Sequence, residues 1–190
     1  MRLRAAGAAD APLVAALHAE SWRAHYRGAY RDTYLDGDVV ADRQRVWEER
    51  LGSPPPNQHV VLAEEGGEPL GFACVYGTAD PRWGSLLDNL HVRPAHQGRR
   101  VGAHLVADVV AWCRQHHPAC GLYLWVLAEN EGAQRFYRRL GASDRGGELS
   151  EPPGGGTIHG RRYVWTTLPD PASFGLPTPR PPARIRRSPP

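Results

Sequence analysis

A short run rich in glycine and arginine, residues 92–103, most constrains what this chain can fold into. It joins an apolar, strand-like segment, Leu86 to Val92, to an amphipathic, helix-like segment, Val101 to His116. The first backbone N–H groups of a helix have no partners within the helix, and the helix dipole places partial positive charge at the same end. The run therefore predicts a pocket for an anion, most commonly a phosphate.

Hydrophobic periodicity along the remaining chain predicts one α/β domain over residues 1–168. The predicted order is β-α-α-β-β-β-α-β-α-β-β, and Leu122 to Leu127 is an apolar strand of the kind buried on both faces. Asn130 is a favourable cap for the last helix. Residues 169–190 are dominated by proline and arginine without apolar periodicity, which predicts a disordered tail.

Composition argues against several classes of protein. The net charge is only +3, and the four arginines of the tail exceed this by themselves, so nucleic-acid binding by the folded part is not expected. No apolar run approaches the roughly 20 residues of a membrane span. The three cysteines are odd in number and irregularly spaced, which favours a reducing cytoplasm over a disulfide framework.

Two motifs resemble the signature of the GNAT superfamily of acyl-CoA-dependent N-acyltransferases. The run Gln97-Gly98-Arg99-Arg100-Val101-Gly102-Ala103 resembles its pyrophosphate-binding segment, and Asn130 to Gly141 resembles its segment that ends in F-Y-x-x-L-G. Together, about thirty residues apart with a buried strand between them, they are specific. The resemblance covers about residues 1–168 and departs at Arg100, where the family usually has glycine. We expect Arg100 to keep a negative φ and to add a phosphate contact.

The resemblance implies both a fold and an activity. The fold would be a central, mixed, mostly antiparallel and twisted α/β sheet of about six or seven strands. Helices would cover both faces, and the sheet would splay at the cofactor site, between the segments 86–92 and 122–127. The activity would be transfer of an acetyl group from acetyl-CoA to a primary amine by direct attack in a ternary complex.

Several alternatives stay open at this stage. The acceptor is a small-molecule amine or a protein amine, and the protein is a monomer or a homodimer. An acyl-CoA-binding regulatory or interaction module without turnover is an alternative to the enzyme. A third possibility is a protein that binds nucleic acid through its arginine-rich tail, although a solvated tail is the commoner outcome.

The same resemblance implies which residues bind the donor. Backbone amides of residues 98–103 would hold the pyrophosphate, with Gln97 opening the loop. Asn130 would contact the pantetheine arm or the splayed strands, or it would only cap a helix; the structural and the functional role are compatible. The expected donor-binding residues are Leu90, His91, Val92, Gln97, Gly98, Arg99, Arg100, Val101, Gly102, Ala103, Asn130 and Tyr137.

Two residues are candidates for proton transfer. The resemblance implies that Tyr137 protonates the departing thiolate, and the alternative is that Tyr137 only packs in the core. Asp88 is the candidate general base, because a carboxylate on this strand serves as base in several relatives. Strand alternation places Asp88 on the same face as Leu90 and Val92, with His91 on the other face. A solvated surface carboxylate is the alternative for Asp88.

Four residues form a C-x-x-H-H-x-x-C pattern whose side chains are of types that bind zinc. They are Cys113, His116, His117 and Cys120. Cys113 falls on the inward face of its predicted helix, where free cysteine usually acts as a small buried apolar residue. We therefore expect core packing here and no metal site.

The acceptor is expected to bind mostly against residues 22–34 and the loop 152–160. The aromatic and acidic residues of this region would suit a cationic acceptor. These residues are Trp22, Tyr26, Tyr30, Tyr34 and Asp36.

Overall fold

The computed structural model describes residues 1–176, which contain a seven-stranded sheet with helices on both faces. The helices are α1 (Ala11–His25), α2 (Asp32–Asp36), α3 (Val39–Gly52), α4 (Val101–His116) and α5 (Glu131–Arg139). The strands are β1 (Arg2–Ala5), β2 (Gln58–Glu65), β3 (Glu68–Asp80), β4 (Gly84–Val92), β5 (Leu122–Leu127), β6 (Ser143–Ser150) and β7 (Ile158–Trp165). Their spatial order is β1-β2-β3-β4-β5-β7-β6, and β4 with β5 is the one parallel pair of this sheet. The predicted mixed, mostly antiparallel sheet is thus confirmed, whereas α2 has no counterpart in the predicted order.

Strand alternation divides the core into two layers. On β3, Phe72 and Cys74 point towards α1 and α3, while Ala73 and Val75 point towards α4. Trp47 of α3 is fully buried in the first layer. These layers fix α1 and α3 on one face of the sheet and α4 on the other.

The sheet splays between β4 and β5, as expected. The two strands pair only at Ser85 with Leu122 and at Leu86 with Tyr123. Beyond Leu86 they diverge and leave a gap that opens into a cleft.

A β-bulge in β4 lies directly beside this gap. Cys74 of β3 pairs with Asn89, and the next residue, Val75, pairs with Leu87, so Asp88 is skipped by the β3 ladder. An inserted residue of this kind bends its strand and increases the local twist. The bulge therefore accounts for the divergence of β4 from β5.

The beginning of the predicted tail is ordered. Pro171–Phe174 forms a short 3-10 helix against α4, and Phe174 packs on the hydrophobic core. The segment expected to be disordered from residue 169 thus contains a helical turn at residues 171–174, where one aromatic side chain finds apolar surface to cover. Residues 177–190, which include the tail arginines, lie outside the described residues. Within residues 1–176, no helix combines the length and the apolarity that crossing a bilayer requires.

Candidate active site

A cleft of about 1210 Å³ occupies the gap between β4 and β5. Its walls come from α1, α3, β4, the start of α4, β5, α5 and β7. This volume exceeds that of an ordinary small-ligand pocket, about 300–1,000 Å³. The cleft therefore has room for two substrates side by side.

One end of the cleft is formed by the loop before α4. Within the described residues, the amides of residues 98–103 have no backbone acceptor, and the first helical hydrogen bond joins His104 N to Arg100 O at 3.1 Å. These amides lie at the positive end of the α4 dipole. The loop therefore has the donors that an anion such as a pyrophosphate requires, as predicted from the sequence.

Arg100 occupies a strained position in this loop. Its φ of 63° is left-handed, so the expectation of a negative φ is wrong. This conformation costs a residue with a Cβ roughly 1–2 kcal/mol, which explains why glycine is usual there. The guanidinium bonds to the C-terminal segment, where Arg100 Nη1 donates to the carbonyl oxygen of Gly175 at 2.7 Å. The side chain thus contacts the C-terminal segment, and the expected phosphate contact stays a prediction.

All predicted donor-binding residues line the cleft except Arg99. The Arg99 guanidinium pairs with the Glu65 carboxylate and lies 3.0 Å from His96 Nδ1. Its side chain is therefore engaged outside the cleft. Only the backbone amide of Arg99 remains available for the predicted role.

Asn130 has the predicted capping role in the structure. Its Oδ1 accepts a hydrogen bond from Ala133 N at 3.0 Å, at the start of α5. Asn130 also lines the cleft. Capping and donor binding are compatible in this position, and the contact with the pantetheine arm stays a prediction.

Tyr137 lies at the centre of the cleft wall. Its side chain packs near Tyr163 and Trp165 and is only 8% exposed, yet it lines the cleft. Within residues 1–176 its hydroxyl has no hydrogen-bond partner. Burial, together with the nearby Tyr26, raises the pKa of Tyr137 above its ordinary value. The hydroxyl is therefore protonated at neutral pH, as a proton donor must be.

Asp88 does not share a face with Leu90 and Val92. Because the bulge resets the alternation, Leu87 joins those two residues in the layer under α4. The Asp88 carboxylate turns towards α3, where its Oδ2 accepts a hydrogen bond from Arg50 Nη1 at 2.6 Å. Asp88 still lines the cleft, so the predicted base is present on a different face of β4.

Two buried histidines lie under the acceptor end of the cleft. The ring centroids of His91 and His18 are 4.7 Å apart, and His91 Nδ1 lies 2.7 Å from Ser21 Oγ. Trp47 Nε1 donates to His18 Nδ1 at 3.0 Å, which places the proton of the neutral His18 ring on Nε2. Burial lowers the pKa of His91 to about 3 and that of His18 well below its ordinary value. Both rings are therefore neutral at neutral pH.

An aromatic cluster forms the far wall of the acceptor end. Trp22, Tyr26 and Tyr30 line the cleft, and Tyr34 packs behind Tyr30. The Arg43 guanidinium lies 4.3 Å from the Trp22 ring centroid, so this aromatic face is already occupied by a cation. Asp36 is paired with Arg27. The arrangement does not fit the cationic acceptor suggested by the sequence, because the chain itself supplies the cation.

Arg43 is a functional candidate that sequence reasoning missed. It is 7% exposed, lines the cleft and pairs with the Asp42 carboxylate at 2.6 Å. Within the described part of the chain its Nε has no hydrogen-bond partner. His18 and Arg50 were missed as well. The available signal was their position on the inward faces of α1 and α3, which looks the same in sequence as ordinary core packing.

The cysteine and histidine side chains of the C-x-x-H-H-x-x-C pattern, which begins on α4, do not form a metal site in the described structure. Cys113 is fully buried in the core, as expected from the helix pattern. Among residues 1–176, no group of three or more potential ligands is placed to hold a metal ion.

With the geometry in place, comparison with known proteins identifies the family. Residues 19–142 match the acetyltransferase (GNAT) family. The chain belongs to the GNAT family of acetyltransferases. A probable N-acetyltransferase of Mycobacterium tuberculosis is 26% identical over 173 residues, covering 88% of this chain and 86% of that protein.

Solved structures share the GNAT fold. A ribosomal-protein-alanine N-acetyltransferase from Brucella melitensis superposes with a TM-score of 0.66 at 20% identity, covering 87% of this chain and 99% of that one. The PaiA N-acetyltransferase from Thermoplasma acidophilum, in complex with coenzyme A, superposes with a TM-score of 0.64 at 15% identity, covering 86% and 98%.

Family membership defines the activity in general terms. This GNAT protein is an N-acetyltransferase whose acyl donor is acetyl-CoA and whose acceptors are amines. The free amides before α4 fit the pyrophosphate of that donor. The related proteins are named as transferases, so the comparisons give no support to a binding module without turnover.

Proposed function

We propose that this GNAT enzyme acetylates a small primary amine that also carries an anionic group, by direct attack within a ternary complex. The observation that carries the proposal is a single cleft with two chemically different ends. One end has unpaired backbone amides, and the other is lined by the buried Arg43 guanidinium and by the Asp88 carboxylate. Holding both substrates in one cleft supplies much of the rate through proximity.

The donor end would hold acetyl-CoA through its backbone. When bound, acetyl-CoA supplies an acetyl group activated as a thioester. The amides of residues 98–103 would bind the pyrophosphate, and Asn130 would bind the pantetheine arm. Tyr137 would donate its proton to the leaving thiolate, since its hydroxyl is protonated and has no hydrogen-bond partner within residues 1–176.

At the acceptor end, Asp88 would accept a proton from the incoming amine. Its Oδ2 is held by Arg50, and its Oδ1 has no hydrogen-bond partner within residues 1–176. The buried His91 is a poor base at neutral pH because burial lowers its pKa to about 3. A carboxylate on β4 that faces the cleft therefore supports the base role better than the neighbouring histidine.

Arg43 supports an acceptor with an anionic group. Its guanidinium lies against Trp22, borders the cleft and donates through Nη2 to the Asp42 carboxylate. A carboxylate is the group that a guanidinium binds best. A compact zwitterion would thus place its amine near Asp88 and its anion near Arg43.

Matched pairs of amines test this proposal. Each amino acid is offered beside its decarboxylated amine, with acetyl-CoA, and thiol release is measured. We expect turnover of the acids, and for Arg43→Gln an increase in the KM of the acid of about tenfold with the KM of acetyl-CoA unchanged. For Arg43→Lys, which keeps the charge, the KM of the acid should lie between that of the unsubstituted enzyme and that of Arg43→Gln.

Two outcomes would contradict parts of the proposal. Preference for the decarboxylated amines would exclude the anionic group while leaving acetyl transfer intact. Acetylation only of peptide N-termini would exclude the small-molecule acceptor. A cytoplasmic location, and a monomer or homodimer, stay predictions.

A further inference from the structure

The segment that follows β7 is held along α4 by arginine side chains, which donate hydrogen bonds to the backbone of the segment. Arg114 Nη1 donates to the carbonyl oxygens of Leu168 and Pro169, both at 3.3 Å. Six residues further on, Arg100 Nη1 donates to the carbonyl oxygen of Gly175 at 2.7 Å. Two arginines, one near each end of α4, thus hold the segment from both sides.

The segment brings an aromatic side chain to the cleft. Pro171–Phe174 forms the 3-10 helix, and the Asp170 carboxylate caps it by accepting a hydrogen bond from Ala172 N at 3.0 Å. Phe174 packs against the core on one side and lines the cleft on the other. It therefore forms part of the cleft wall at the end where Arg100 lies.

The order of groups along acetyl-CoA indicates what lies at this end. The acetyl thioester must lie where the amine attacks, between Asp88 and Tyr137, and the pyrophosphate fits the amides before α4. The adenosine end of coenzyme A continues beyond the pyrophosphate. Phe174 and Arg100, the loop residue that is bonded to Gly175, line the same cleft, so the segment borders the loop that would hold the pyrophosphate.

We propose that residues 171–175, anchored by Arg100, form a wall of the donor site that contacts the adenosine end of acetyl-CoA through Phe174. An aromatic ring stacks on any base, and the ring of Phe174 is half-buried and held in place before the ligand arrives. The strained Arg100 then has a function. Its side chain holds the wall that a glycine at the same position could not hold.

Calorimetric titration of coenzyme A into the protein, without acceptor or turnover, tests this role. Phe174→Ala should weaken coenzyme A binding about tenfold, and Phe174→Tyr, which keeps the aromatic face, should bind as the unsubstituted protein does. Arg100→Ala removes the anchor and should weaken binding in the same direction. Pantetheine, which lacks the nucleotide, should bind all four proteins alike.

Two truncations separate this segment from the residues that follow it. A chain ending after residue 176 should bind coenzyme A as the full chain does, whereas a chain ending after residue 168 should bind at least about tenfold more weakly. Circular dichroism and thermal unfolding show whether the shorter chain is folded. Unchanged binding by Phe174→Ala, or tighter binding after removal of the segment, would overturn the proposal. Because no acceptor is present, the result is independent of the acceptor that we propose.

Discussion

The two ends of the cleft are built by different means. The donor end is a contiguous run of backbone amides, residues 98–103, at the start of one helix. The acceptor end is assembled from side chains of α1, α3 and β4, whose positions are far apart in the chain. A backbone site needs only one local conformation, whereas a side-chain site needs several elements to be packed correctly. The first kind is therefore visible in sequence, and the second is not.

The ends also differ in how they use charge. At the donor end the amides keep their free hydrogen-bonding capacity for a ligand. At the acceptor end Asp88 is paired with Arg50 and Arg43 with Asp42, and the buried His91 is neutral. Removing one partner of a partly buried ion pair leaves an uncompensated charge, which is destabilising. These pairs therefore maintain the shape of the site as well as its chemistry.

Tyr137→Phe should have the largest effect on activity, because it removes the hydroxyl that would donate a proton at the donor end. We expect kcat to fall about 10²-fold with little change in the KM of acetyl-CoA. Tyr163→Phe is the matched control, since Tyr163 is fully buried and its hydroxyl bonds to Gln134 at 3.3 Å. Equal activity of Tyr137→Phe and the unsubstituted enzyme would reduce Tyr137 to a packing residue.

His91, at the acceptor end, should make the stability of the protein depend on pH. Its pKa is about 3 in the folded protein and about 6.5 in the unfolded chain, so below pH 6.5 the unfolded chain binds the extra proton. Stability is therefore full above pH 6.5 and is lost as the pH falls towards 3. At pH 5 the loss from His91 should be about 2 kcal/mol relative to pH 7.5.

Urea unfolding at both pH values measures this loss. His91→Leu should remove the share of the pH dependence that His91 contributes, and His18 should account for a further share. His116→Gln, at an exposed position on α4, is the control, because it removes a histidine that lies outside the buried pair. An unaltered slope in His91→Leu would show that this ring is not the group responsible.

Asp88→Asn tests the acceptor end directly. We expect kcat/KM for the amine to fall about tenfold or more at neutral pH, since an amide cannot accept the proton. Part of the loss should be recovered at high pH, where the amine is deprotonated by the solvent. Glu148→Gln is the control, because Glu148 also lines the cleft but is exposed and pairs with Arg162 at 3.5 Å. Equal losses in both variants would assign the effect to overall charge.

Among these substitutions Arg100→Gly should have the smallest effect, and it should stabilise the fold. Glycine relieves the left-handed strain at φ 63°, so the free energy of unfolding should rise by about 1 kcal/mol. Arg100→Ala keeps a Cβ and should give no such gain. If both variants are destabilised equally, the bond to Gly175 matters more to the fold than the strain does.

The sequence predicted the local features of the donor end and missed side chains of the acceptor end, for identifiable reasons. Asn130 caps α5 as expected, because capping is a local interaction. The face of Asp88 was predicted wrongly, since one bulged residue resets the strand alternation and leaves no mark in the sequence. Arg43 was overlooked because an inward polar residue on a helix becomes meaningful only when its neighbours are known.

The sequence by itself determined the sheet, the helices other than α2 and the loop with free amides before α4, because each depends on periodicity or on one contiguous run. Only the tertiary structure decided that Arg100 is left-handed and bonded to Gly175, and that the Trp22 face is filled by Arg43. These contacts join residues that are distant in the chain, and their energies depend on packing. The donor could therefore be recognised from the sequence, whereas the acceptor that we propose rests on side chains that only the fold brings together.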